Sequence, residues 1–291
     1  MDTSENSSIL SIEIKKVKGE HMQAANDVVA IEEPLEIRLC FSDNGQRKEK
    51  SISVTMRTPG NDFDLATGFL FTEGIINNST DVTAVEHCTP FEENVVRVEL
   101  SPDIHVALNH LERNFYTTSS CGICGKSSID AVKTVRRIPG AETKLRIPPE
   151  ILYSLGKILR DSQDLFDRTG GIHGWGLFDP DGKLILSRED VGRHNALDKL
   201  IGAAIQKEMI PLNNYVLLLS CRASFELIQK AWMAGIKIIA AVGAPSSLAV
   251  QMAKESDITL VGFLKNNSFN IYSGEKRIAI QPSYTNIKAT S

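Results

Sequence analysis

Four stretches in the first hundred residues, 11–17, 35–41, 51–57 and 95–100, alternate apolar with polar side chains or are rich in β-branched residues. A period of two predicts strands with one buried face. Asn44-Gly45, between the second and third, predicts a tight hairpin turn. One helical pattern interrupts the strands, starting at Asp62 or Asp64 and carrying Leu65, Phe69 and Leu70 on one face.

The rhythm then changes. Residues 126–137 predict a helix through Ile129, Val132 and Val135, stopped by Pro139-Gly140, and 148–166 predict another. A hairpin follows, 175–178 with 183–186, across Asp179-Pro180-Asp181-Gly182. Beyond it, helices 191–207, 224–234 and 246–255 alternate with apolar strands 214–219, 236–242 and 258–263. Continuously apolar strands separated by helices predict a mostly parallel sheet with helices on both faces. The fold expected is α/β, α+β overall: a β-rich N-terminal domain over 1–145 and an α/β core domain over 146–291, with the boundary within 139–149.

Composition narrows the function classes. The 291 residues, 42% hydrophobic and 23% charged, suffice for a sizeable core. A net charge of −4 provides no global attraction to nucleic acid or an anionic membrane, so neither is expected as a partner. With no basic-then-apolar leader and no long apolar run, the expected location is cytoplasmic. Five cysteines, Cys40, Cys88, Cys121, Cys124 and Cys221, are an odd number and point to reduced thiols.

In sheets of this kind ligands sit beyond the carboxyl ends of the strands, where helix N-termini present free N–H groups. The segments there are small, polar or cationic: Glu189-Asp190-Val191-Gly192-Arg193-His194-Asn195, Ser220-Cys221-Arg222, Gly243-Ala244-Pro245-Ser246 and Leu264-Lys265-Asn266-Asn267-Ser268. Upstream, Thr169-Gly170-Gly171-Ile172-His173-Gly174 adds a loop that backbone can bring close to a ligand. Arg193, Arg222 and Lys265 suit phosphates. Against this, Asp190, Ser224 and Ser246 could simply cap helices.

The second candidate is Thr117-Thr118-Ser119-Ser120-Cys121-Gly122-Ile123-Cys124-Gly125-Lys126-Ser127. Structural zinc needs four ligands, and no second Cys-x-x-Cys exists. A zinc-dependent deaminase would pair His110-Leu111-Glu112 with Pro-Cys-x-x-Cys, but Ser120 stands at the proline and the spacing leaves no room for the intervening strand. A phosphate loop lacks its first glycine and its apolar strand. A thioredoxin-like dithiol lacks the aromatic or proline beside the cysteines, and the polar flanks disfavour a buried pair. What remains is a nucleophilic thiol on an exposed loop, its pKa lowered by the following helix start and Lys126, able to carry sulfane sulfur.

Ser119-Ser120-Cys121-Gly122-Ile123-Cys124-Gly125-Lys126, Thr169-Gly170-Gly171-Ile172-His173, the run from Glu189 through Lys199, Ala244-Pro245-Ser246-Ser247-Leu248-Ala249, and Gly262-Phe263 with Phe269-Asn270-Ile271-Tyr272 together resemble the formate dehydrogenase accessory sulfurtransferase family, FdhD. The resemblance covers about residues 50–275. It implies a carrier that takes sulfur from a cysteine desulfurase and delivers it to the molybdenum cofactor, in its bis(molybdopterin guanine dinucleotide) form, before insertion into formate dehydrogenase. It implies Cys121 as the persulfide cysteine, Cys124 as the second loop cysteine, and Phe263, Leu264, Lys265, Asn266, Asn267 and Ser268 as the cofactor segment. Gly171, His173, Arg193, His194 and Arg222 are the further cofactor-contact candidates, and GDP is the expected mimic. A cytidine deaminase-like core without the zinc chemistry, and a homodimer, are implied as well. Cys221 departs from the family pattern, which has glycine after the serine, and reads as a small buried residue rather than a spare thiol.

Overall fold

The computed structural model describes residues 8–88, 93–104 and 142–280. Strands β1 (Ile9–Lys18) and β2 (His21–Ala30) form an antiparallel ribbon. Strands β3 (Glu33–Asp43), β4 (Gln46–Arg57), β5 (Val82–His87) and β6 (Val95–Leu100) form a sheet in the order β4-β3-β6-β5. The hairpin turn is where the sequence puts it, with Asn44 and Gly45 both left-handed at φ 51° and 76°. Leu35, Ile37 and Leu39 point inward from β3 and are fully buried, and helix α1 (Asp62–Thr72) adds Leu65 and Leu70 to the same core.

The second half comprises α2 (Pro149–Arg160), α3 (Asp164–Thr169), β7 (His173–Phe178), β8 (Leu184–Asp190), α4 (Arg193–Gln206), β9 (Val216–Leu219), α5 (Phe225–Met233), β10 (Ile238–Ala241), α6 (Ser247–Glu255), β11 (Thr259–Lys265) and β12 (Ser268–Ser273). Its sheet runs β12-β11-β10-β9-β7-β8. In this sheet β9, β10 and β11 pair parallel and β7 pairs antiparallel with β8, as the helix-separated strands and the hairpin predict; the further antiparallel pairs β7–β9 and β11–β12 make the sheet mixed, which corrects the expected mostly parallel one. The links from β7 to β8 and from β11 to β12 are too short for the crossover that parallel neighbours need.

Both faces are covered, as expected. Leu217, Leu219, Ile239, Ala241 and Leu260 face a core shared with α1, α4, α5, α6 and the N-terminal sheet. Val216, Leu218, Ile238, Ala240 and Val261 alternate with them and face Leu152, Leu155 and Leu159 of α2. The two sheets are thus joined through one continuous core. At its centre α1 and α4 touch backbone to backbone, where a Cβ on Gly68 would lie 1.9 Å from the Asp198 carbonyl oxygen and one on Gly202 1.9 Å from that of Asp64.

Two further corrections concern the site. The helix expected over 148–166 is broken at Asp161–Gln163 into α2 and α3, because Gln163 turns into the core and Glu189 binds the first turn of α3. Glu189 and Asp190, expected in a loop, extend β8 opposite Gly174 and His173. The helix expected over 126–137 and the loop with Cys121 and Cys124 lie outside the described residues.

Candidate functional site at the sheet rim

Because β7 runs antiparallel to β9, its first residue lies on the rim formed by the carboxyl ends of β8 to β11. Gly174 N–H donates to Ser220 Oγ (3.2 Å), Gly243 N–H to the Cys221 carbonyl (3.1 Å) and Phe263 N–H to the Gly243 carbonyl (3.1 Å). These bonds tie β7, β9, β10 and β11 together along the rim.

On it stand several of the expected residues. Arg193 opens α4, and its carbonyl accepts the Trp175 indole N–H at 2.8 Å. His173 lies nearly parallel to Trp175, at 11° with ring centroids 6.4 Å apart. Burial pushes the His173 imidazole below its ordinary pKa, the Arg193 charge pushes the same way, and Asp190 opposes them. The lowered pKa favours the neutral ring, which can donate from one nitrogen and accept at the other. Arg222 is exposed beyond β9, with Cys221 beside it. Burial pushes the Cys221 thiol up, while Arg193 and Arg222 pull against it. His173, Arg193, Cys221 and Arg222 thus form one cationic cluster. Cys221 is half-buried, more open than the buried filler expected, and its thiol donates to the Arg222 carbonyl at 3.2 Å.

Other candidates stand apart. Gly171 is exposed and His194 is half-buried in the first turn of α4. Phe263 is 43% exposed, with φ at 54°, beside Val242 at 45%. Leu264 packs among the residues facing α2, so only its backbone is available at the rim. Lys265, Asn266, Asn267 and Ser268 are exposed at the turn joining β11 to β12. Of the supposed caps, Ser246 does bind the Ala249 N–H (3.2 Å), whereas Ser224 makes no cap bond.

Much of the motif running from Glu189 to Lys199 is scaffold. Lys199 Nζ lies 2.6 Å from Asp190 Oδ2 and donates to the Thr58 carbonyl (2.8 Å), while Thr58 N–H donates to Asp190 Oδ2 (3.2 Å). Asn195 Nδ2 donates to the Met56 carbonyl at 2.7 Å. A second buried knot joins Lys230 to Asp198 (2.9 Å), with Thr72 bonded to both. Neither was inferred from the sequence, although Asp198-Lys199 inside the apolar run 196–205 signals buried partners.

A pH effect follows from His173. Its native imidazole resists protonation more than the unfolded one, so stability is lost as pH falls below the unfolded value of about 6.5. Urea midpoints at pH 5 and pH 8 should differ less in His173→Gln than in wild type. An unchanged difference would refute this.

A sequence model described as the FdhD/NarQ family matches residues 30–279. The chain belongs to the FdhD/NarQ family. Among family members, the sulfur carrier protein FdhD of Streptomyces coelicolor is 52% identical over 262 residues, covering 88% of this chain and 90% of that protein. The protein of the same name from Saccharolobus solfataricus is 38% identical over 266 residues, covering 91% and 96%. The crystal structure of a candidate formate dehydrogenase accessory protein from Desulfotalea psychrophila superposes with a TM-score of 0.70 at 24% identity, covering 93% of this chain and 99% of that one, and so shares the fold. FdhD/NarQ membership lends no support to a zinc-dependent deaminase. Among the described residues no three His, Cys, Asp or Glu side chains are grouped to hold a metal ion, and no helix is long and apolar enough to cross a membrane.

Proposed function

We propose that the protein is a sulfur carrier for formate dehydrogenase maturation. In this reading the Cys121 thiolate attacks the outer sulfur of a cysteine desulfurase persulfide; the new S–S bond forms on Cys121 as the old one breaks, and the donor cysteine leaves as thiolate. The sulfur then passes to the molybdenum cofactor, in its bis(molybdopterin guanine dinucleotide) form, which is bound as substrate before insertion into formate dehydrogenase. Cys124 is the second thiol of that loop, and the working form is a cytoplasmic homodimer.

The observation that carries this reading is the cationic rim. Arg193, at the start of α4, and Arg222 converge on Cys221, and Arg193 also faces His173, an arrangement suited to a diphosphate. Phe263 and the exposed turn Lys265–Ser268 lie further along the same rim, where they would meet a guanine-bearing arm. The relatives, named as sulfur carriers, support the chemistry.

Mass spectrometry after incubation with a desulfurase and cysteine should find one added sulfur atom on the peptide containing Cys121. None should appear in Cys121→Ala, which should also fail to mature formate dehydrogenase. Arg222→Ala should weaken GDP binding about tenfold, as loss of a charge-assisted hydrogen bond predicts. No added sulfur at residue 121 and no retained guanine nucleotide would refute the proposal.

A further inference from the structure

The outer rim segment, residues 170–173, has no strand partner until His173 pairs with Asp190. It is anchored from behind. Both carboxylate oxygens of Glu189 accept backbone N–H groups from the first turn of α3, Leu165 at 3.1 Å and Phe166 at 3.0 Å. Thr169, one turn on, donates from Oγ1 to the Leu165 carbonyl (2.7 Å) and receives the Gly171 N–H (3.4 Å), while Gly170 ends the helix in the left-handed conformation at φ 67°. The chain of bonds runs unbroken from Glu189 to the rim.

Gln163 completes it. This side chain is 4% exposed, hydrogen-bonds Glu189, and lies over Gly174, where an added Cβ would fall 2.2 Å from its Nε2. Gly174 is the strand partner of Glu189, so the bare glycine makes the room that lets Gln163 reach the carboxylate. Burial pushes the Glu189 carboxyl up, the two N–H bonds pull against it, and Asp164 adds to the push. No cation among the described residues pairs with it. A carboxylate is a costly means of closing a six-residue helix that a Ser or Asp at position 163 could cap locally. Placed on β8, however, it locks α3 to the sheet, which a local cap cannot do.

We propose that Glu189 is a positioning residue for the crevice: acting through α3 and Gln163, it fixes the segment that carries His173 onto the rim. The functional half of this statement rests on the rim being the nucleotide site; the structural half does not.

The two halves are tested separately by amide hydrogen exchange and GDP titration of the full chain. In Glu189→Ala the amides of Leu165, Phe166 and Gly171 should exchange about tenfold faster or more, with those of β9 and β10 unchanged, and GDP should bind about tenfold more weakly. Glu189→Gln, which keeps one acceptor, should restore most of the affinity, a recovery that general loss of stability would not produce. Exchange at wild-type rates, or loosened amides with unaltered GDP affinity, would overturn the assignment. Should Glu189→Ala not fold, Gln163→Ala and Glu189→Gln decide by the same comparison. Wild-type protein that fails to bind GDP would count against the nucleotide reading, and the exchange result would still decide whether Glu189 anchors the rim.

Discussion

Gly202→Ala should melt about 10 °C or more below wild type, the shift that a loss of about 3–5 kcal/mol produces in a chain of this size. The new methyl carbon would start 1.9 Å from the Asp64 carbonyl oxygen, 2.6 Å from its carbon and 2.9 Å from its Cα. All three atoms are helix backbone, so no rotamer change relieves the overlap. The helices would have to separate by more than an ångström, and they carry Leu65, Leu70, Leu197 and Leu200 of the core that unites the two sheets. Dispersion contacts fade over that distance, so the loss reaches well beyond one methyl group. Alanine's better helix propensity returns only about 1 kcal/mol, too little to reverse the sign. Gly68→Ala meets the Asp198 carbonyl in the same way and should behave alike. Gly156, in α2, provides the control: nothing lies within 4 Å of its would-be Cβ, so Gly156→Ala should be neutral or slightly stabilising. Thermal melts that rank Gly202→Ala level with Gly156→Ala would show that α1 and α4 are not closely apposed.

That contact also shows where sequence patterns stop. Period-two and helical repeats locate β3, β4, α1 and the alternation of strands and helices after residue 190, because burial of one face acts on every second or every third to fourth residue. The rim was legible for the same reason, since strand ends follow from strand positions, and Arg193 does face His173 there and, with Arg222, Cys221. Pairing direction was legible for the β7–β8 hairpin, whose turn residues mark it, but not for β7 beside β9 or β12 beside β11: an apolar strand reads alike whether its neighbour runs with it or against it. Nor was the division of labour within the motif from Glu189 to Lys199. Its charged residues look like ligand contacts in one dimension, yet Asp190, Asn195 and Lys199 turn inward to Thr58 and Met56, more than 130 positions away in the chain. Long-range polar partners leave no periodic trace. Ionisable groups inside an apolar helix are the one local hint, and Asp198-Lys199 supply it.

Lys199→Met should cost about 3–5 kcal/mol, because it removes the cation and leaves its carboxylate inside. Asp190 is fully buried, and Lys199 Nζ sits 2.6 Å from it. Methionine approximates the length of the lysine stem, so little of the loss comes from packing. Burial already pushes the Asp190 carboxyl up while the Lys199 ammonium pulls against it. Without that ammonium the native carboxyl rises further above its unfolded pKa, and a group raised in the folded state favours folding at low pH and loses that advantage as pH rises. The deficit relative to wild type should therefore be smaller at pH 5 than at pH 8 when urea midpoints are compared. Asp190→Asn combined with Lys199→Met should recover part of the stability, since asparagine can still accept the Gly192 N–H that Asp190 Oδ1 now accepts at 2.8 Å, without burying a charge. A deficit independent of pH, or a double variant weaker than Lys199→Met alone, would mean that the pair is not an ion pair in the folded protein. Thr58 ends the arm of the N-terminal sheet that reaches this knot, and His173 is the strand partner of Asp190. Loosening the pair should thus disturb the rim and the junction of the two sheets together and, with the rim as the proposed nucleotide site, lower GDP affinity in the same variants and in the same order as stability.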